Sequence, residues 1–456
     1  MRGKFGIAVT LIQVIFILIY AFIVEYGDDL DAGNPIHNKD PQKGGQDPKE
    51  NSLPRYYPMF QDINAMIFIG VGLLYAFLRK YGYMGMGMNL LIAAISMEWS
   101  IITKNIWNMN DGKIKIDIYS LIKGEFAAAS AVIALGAIFG KVSPLQIVIF
   151  TLTEVFFYTT SEYCTSTFLE VTDIGGSVSL HLFAAVFGCI TAYVLDRNVK
   201  VQENSNEGSS YNSNLFCLIG TVLLWAFWPS FNSAEATGDR QHRTVINTHL
   251  AFLGSCLTAF ATSSYLNKDN RFSTSHIQNA VLAGGVAVGA VADLMIQPYE
   301  ALLIGAIGGV ISVLGFKYFT PFLSKINIYD PCGINSLHGI PGLFSGLCSV
   351  AVVLMANEET YGFNLYKLYP AISPQVNTTA YWEIKGNLSD LAPGIGRSRE
   401  MQASYQSIYI LITIAFALLT GSITGLLLRL KIFDPLEDKH MYLDDVFWEV
   451  PEVKEK

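Results

Sequence analysis

Apolar blocks of about 20 residues, the length that crosses a bilayer as a helix, follow one another along this chain with little between them. They lie near 5–24, 60–79, 84–103, 118–139, 143–163, 174–195, 212–232, 245–266, 275–297, 300–320, 333–355 and 405–430. The pattern predicts an all-α integral membrane protein with about twelve transmembrane helices, a single polytopic membrane domain over 1–430 and a tail over 431–456. The first block resembles a signal peptide, but its apolar run exceeds the usual core of one and no A-x-A site follows, so it is read as an extra N-terminal helix. Small residues stud several blocks, as in "LAGGVAVGAVA" from Leu282, which predicts closely packed helices.

Basic residues orient the spans. Arg2, Lys4, Arg79, Lys80, Lys141, Arg197, Lys200, Lys268, Arg271, Lys317, Lys325, Arg429 and Lys431 share one side if twelve spans alternate, which predicts cytoplasmic termini. Lys113, Lys115, Arg240 and Arg243 fall on the other side among acids, and are set aside. The long loops 26–58 and 357–404 are then extracellular. The second carries two N-x-[ST] sequons, Asn377 and Asn387, candidates for glycosylation.

Composition narrows the class. The chain is 51% hydrophobic and 15% charged with a net charge of −8, which argues against disorder and against a nucleic-acid partner. Its six cysteines, Cys164, Cys189, Cys217, Cys256, Cys332 and Cys348, show no CxxC or paired spacing and are read as packing residues. No nucleophile motif, phosphate-binding glycine loop or metal cluster stands in the chain, so neither an enzyme nor a cofactor is expected.

One element recurs. "DIGGSVSLH", Asp173 to His181, returns as "DPCGINSLH", Asp330 to His338, with Asp, Gly, Ser, Leu and His at the same offsets. Five spans follow the first histidine's helix, the fifth being the second histidine's own, so the elements enter the membrane from opposite faces. That is the signature of two inverted five-helix repeats, with one extra helix at each end of the chain. Asp173 and Asp330 stand at helix starts, where an aspartate either caps free N–H groups or attracts an ammonium-like cation. His181 and His338 lie two turns deeper, and an intramembrane ionisable residue points to function. If the imidazoles meet, each still offers a nitrogen to a small polar solute. Two histidines without a third ligand make a metal site weak.

These residues carry a resemblance over nearly the whole chain. "FQDINAMIFIGVG" from Phe60, "GKVSPLQ" from Gly140, "WPSFNSA" from Trp228, "HIQNAVLAGGVAVG" from His276 and the two repeated elements resemble the Rhesus (Rh) glycoproteins of the ammonium transporter superfamily. The resemblance implies a homotrimer with a narrow hydrophobic pore in each subunit, lined by His181 and His338 and gated from outside by Phe126 and Phe231. Relatives outside the Rh branch recruit the cation with a tryptophan, a device missing here between Trp107 and Trp225. Glu162, Glu235 and, more loosely, Glu125 are the acids expected near the outer vestibule, and His249 is read as structural.

The expected activity is channel-like transport of ammonia or ammonium, with methylammonium or carbon dioxide as candidate further substrates, in the lipid of a eukaryotic plasma membrane. A charge at the bilayer centre costs roughly 3 kcal/mol or more, so release of the proton in the vestibule and passage of neutral ammonia is the inexpensive route. A small-gas pore, or a non-conducting scaffold with partners on the tail from Asp434, are the alternatives. The tail's acids are read by default as a solvated end.

Overall fold

The computed structural model describes residues 3–27, 30, 53–109, 111–195, 204 and 206–451; Arg2, Arg197, Lys200 and most of the loop 26–58 lie outside them. Twelve membrane segments run in order: α1 (Lys4–Ile23), α2 (Leu53–Phe77), α3 (Gly82–Asn105), α4 (Ile118–Leu135), α5 (Pro144–Leu169), α6 (Ser177–Leu195), α7 (Tyr211–Ser233), α8 (Asp239–Leu266), α9 (Thr274–Ala280 with Ala283–Gly289), α10 (Pro298–Lys325), α11 (Asn335–Met355) and α12 (Arg399–Leu428). Segments α2 to α6 form the first five-helix repeat and α7 to α11 the second.

The segment read as one span over 275–297 is broken into two short helical pieces and a turn. Its small residues are used for contact rather than length: a Cβ on Gly284 would stand 2.4 Å from the Ala251 carbonyl oxygen of α8. A parallel pair of three-residue strands, β1 (Val24–Tyr26) and β2 (Ile114–Ile116), ties the end of α1 to the approach to α4.

Segment α1 touches the bundle along one stripe. Phe16 stacks on Trp99 of α3 with ring centroids 5.7 Å apart, Gln13 Nε2 donates to the Glu98 carboxylate at 3.1 Å, and the Tyr20 hydroxyl donates to the Glu98 carbonyl at 2.9 Å. The Glu98 carboxylate thus has a partner, Gln13, on a neighbouring helix.

The basic residues that fall on the minority side have local partners. Arg240 meets the buried Asp293 at 2.6 Å, Arg243 donates to the Asp293 carbonyl at 2.9 Å and pairs with Asp239 at 3.2 Å, and Lys113 donates to the Phe22 carbonyl at 2.7 Å. At that same end, the chain between α11 and α12 is folded rather than open. It holds the short helices Glu358–Tyr361, Leu365–Leu368 and Thr379–Asn387, and Tyr381, Ile384 and Leu391 form a small core of their own. Asn377 and Asn387 are exposed on it.

The tail differs from a solvated end. Lys4 and Asp434 pair at 2.7 Å, the Tyr442 amide donates to the Gly140 carbonyl at 3.0 Å, and Trp448 covers Gly87 and lies 6.0 Å from the Tyr83 ring. Asp444 accepts from the Tyr83 and Met84 amides at 2.9 and 2.8 Å, so a residue some 360 positions away caps the start of α3. Replacing Asp444 with alanine is expected to cost about 1 kcal/mol, as loss of a helix cap does, and to expose 434–451 to protease. Limited proteolysis in detergent checks this; an equally resistant tail would refute it.

Candidate functional site

Each histidine sits in the opening turn of a helix built the same way in both repeats. Asp173 and Gly176 precede α6, Asp330 and Gly333 precede α11, and both glycines have left-handed φ, 64° and 68°, a conformation a side chain resists. The first turns, Ser177–Leu182 and Asn335–Gly339, are wound as π-helix, and the His181 amide accordingly donates five residues back to the Gly176 carbonyl at 2.9 Å. Where the two repeats cross, a Cβ on Gly342 would lie 2.5 Å from the Ser177 carbonyl oxygen, so α11 meets α6 at contact distance close to the histidines.

His181 and His338 meet at that crossing. Their Nδ1 atoms are 3.1 Å apart, the rings stack with centroids at 5.0 Å, and both side chains are buried. One Nδ1 must donate and the other accept. If both rings are neutral, the donor ring then has a bare Nε2 and the acceptor ring an Nε2–H, so the pair presents one acceptor and one donor. His181 Nε2 has no partner among the described residues. Trp228 stacks on His181 at 5.4 Å and lies 6.4 Å from His338, a wall that neither spacing nor the repeated element points to.

Phe126 and Phe231 pack edge to face at 4.7 Å, and Phe231 lies 5.9 Å from His181. Phe231 borders two cavities. One, about 40 Å³, is lined by Phe126, Tyr158, Glu162, Asp173 and Glu235 at the end of the bundle away from the termini. The other, about 170 Å³, is lined by His181, His338, Trp228, Cys217 and Asp330 and faces the end that holds the termini.

The carboxylates differ sharply. Asp173 accepts five hydrogen bonds, from the amides of Ser177, Val178 and Ser179 and the hydroxyls of Ser179 and Tyr409, at 2.8 to 3.1 Å. Of its two possible roles, capping is the one this geometry fills. Asp330 accepts from the Ile334 and Asn335 amides, both at 3.0 Å. Glu162 is ion-paired with Lys104 at 2.7 Å. Glu125 is buried beside Phe126 and accepts from the Asn64 amide group at 2.6 Å. Glu154, about two turns from Glu162 on α5, accepts from the Ser130 hydroxyl. His249 is exposed and meets Trp225 edge-on at 5.1 Å, away from the pair. Among the described residues no three His, Cys, Asp or Glu side chains gather as metal ligands.

The Ammonium Transporter Family model matches residues 41–443. The chain is 39% identical to ammonium transporter Rh type B of Xenopus tropicalis, over 99% of this chain and 94% of that one. It is 37% identical to ammonium transporter Rh type C of Canis lupus familiaris, over 99% and 95%. Among solved structures, Rh50 of Nitrosomonas europaea matches with a TM-score of 0.71 at 29% identity, covering 88% of this chain and 93% of that one. Mep2 of Saccharomyces cerevisiae shares the fold, with a TM-score of 0.63 at 18% identity over 87% and 92%. The chain is a multi-pass membrane protein that belongs to the ammonium transporter family, on its Rhesus branch.

Proposed function

We propose that this protein conducts neutral ammonia: ammonium loses its proton in the cavity outside Phe126 and Phe231, and ammonia passes the phenylalanines, crosses the histidine pair and is reprotonated beyond it. The observation that carries this reading is the pair itself. Two buried imidazoles 3.1 Å apart between two cavities offer a donor and an acceptor to a solute that has both. Next to the pair the wall is formed by Leu337, Trp228 and Phe231, which compensate little of the cost of a charge. The phenylalanine pair acts as the gate, and water leaves the solute there; the imidazoles replace part of what the solute loses.

The proposal extends to the assembly. The subunit forms a homotrimer in the plasma membrane with both termini cytoplasmic, so that the Glu162 cavity opens outside, and Asn377 and Asn387 carry glycans. Methylammonium is a candidate second substrate.

Stopped-flow measurement of lumenal pH in proteoliposomes under an inward ammonium gradient, with membrane current recorded in parallel, tests the mechanism. Fast alkalinisation without current is the expected result. A current matching the flux would overturn neutral passage, and a rate equal to empty liposomes would move the reading to a small-gas pore or a scaffold.

A further inference from the structure

Neutral passage requires a group outside the phenylalanines that holds the ammonium ion and takes its proton. Among the acids expected near this vestibule, three have their charge or position committed elsewhere. Glu162 is neutralised by Lys104 at 2.7 Å. Asp173 spends its oxygens on five donors that hold the first turn of α6. Glu125 does not line the cavity, and one of its oxygens holds Asn64.

Glu235 stands apart from these. It lines the cavity two residues beyond Ser233, the last residue of α7, so the negative end of that helix lies beside it and favours a cation. Tyr119 of α4 lies beside the carboxylate. The carboxylate's Oε1 is buried with no partner among the described residues. An unpaired buried oxygen is costly, and the cavity of about 40 Å³ beside it has room for a small solute. The charged and titratable groups around it are Tyr119 on α4, Tyr158 and Glu162 on α5, Lys104 behind Glu162, Asp173 ahead of α6, and Arg55 of α2, which donates to the Ala236 carbonyl at 2.7 Å. None of them is ion-paired to Glu235.

Resting on the ammonium-transport reading above, we infer that Glu235 is the vestibule carboxylate that binds the ammonium ion and accepts its proton. An N–H bond of the ion breaks as an O–H bond forms on Glu235. Ammonia leaves past Phe231, and the carboxylic acid returns the proton to water on the open side of the vestibule. Glu235 then acts only on the ion, since ammonia already free in solution has no proton to give.

The test measures the initial rate of lumenal alkalinisation by ammonium chloride in proteoliposomes, at one total concentration across a range of external pH. Glu235→Gln is expected to be about tenfold slower on the acidic side, the loss that follows from removing one charge-assisted contact, and to converge on the natural protein on the alkaline side. Glu235→Asp is expected to recover most of the acidic-side rate. A Glu235→Gln protein that matches the natural one at every pH, a loss of equal size at both ends, or an aspartate variant as slow as the glutamine one would each overturn the assignment. If the natural protein itself were no faster than empty liposomes, the transport reading would fail instead.

Discussion

His338→Leu is expected to slow ammonia conduction roughly tenfold to a hundredfold while leaving the protein folded. Leucine keeps the volume and apolar contacts against Trp228 but removes two things at once. The solute loses one of the two nitrogens that replace its water, and His181 Nδ1 loses its partner at 3.1 Å. Each unmatched buried polar group costs about 1–3 kcal/mol, which at about 1.4 kcal/mol per factor of ten sets the expected range. The measurement is the initial flux per reconstituted protein, with elution volume in detergent as the check on folding. An unchanged flux would remove the histidine pair from the path.

The second large effect falls on stability. Asp173→Ala leaves three amides, the Ser179 hydroxyl and the Tyr409 hydroxyl without their acceptor, and the cost expected is about 3–5 kcal/mol. Asp330→Ala removes two such bonds and should cost less. Thermal unfolding in detergent orders them: natural protein, then Asp330→Ala, then Asp173→Ala. Because His181 sits in the turn that Asp173 holds, flux should fall together with stability. Lower flux at an unshifted unfolding temperature would instead mean that the aspartate acts on the cation directly.

What is legible in the sequence follows from what is local or repeated. Membrane-length apolar blocks announce the spans because lipid makes the same demand on every one of them. The meeting of His181 and His338 is legible because the same nine-residue pattern enters from both faces, and symmetry about the midplane then brings the two together. The phenylalanines are different: Phe126 and Phe231 look like any lipid-facing or core aromatic, and only the resemblance singles them out.

Contacts between distant residues leave no such mark. Nothing in the spacing joins Lys104 to Glu162 or Tyr409 to Asp173. The tail shows the same limit, since Asp444 reads as one more surface acid until α3 is seen to begin beneath it. The π-wound turns are hidden for another reason. They depend on one extra residue per turn being tolerated at a packed crossing, and apolar periodicity over six residues cannot resolve that.

The near-equivalence of the two histidine-bearing turns has a consequence for physiology. Two stacked rings of the same kind, each borne on a copy of the same turn, offer similar chemistry to a molecule arriving from either compartment. On the neutral-passage proposal no energy source is coupled to the crossing, so net flow would follow the ammonia gradient in either direction. Acidity on each side, by trapping the protonated form, would decide whether a cell that holds it gathers nitrogen or discards it.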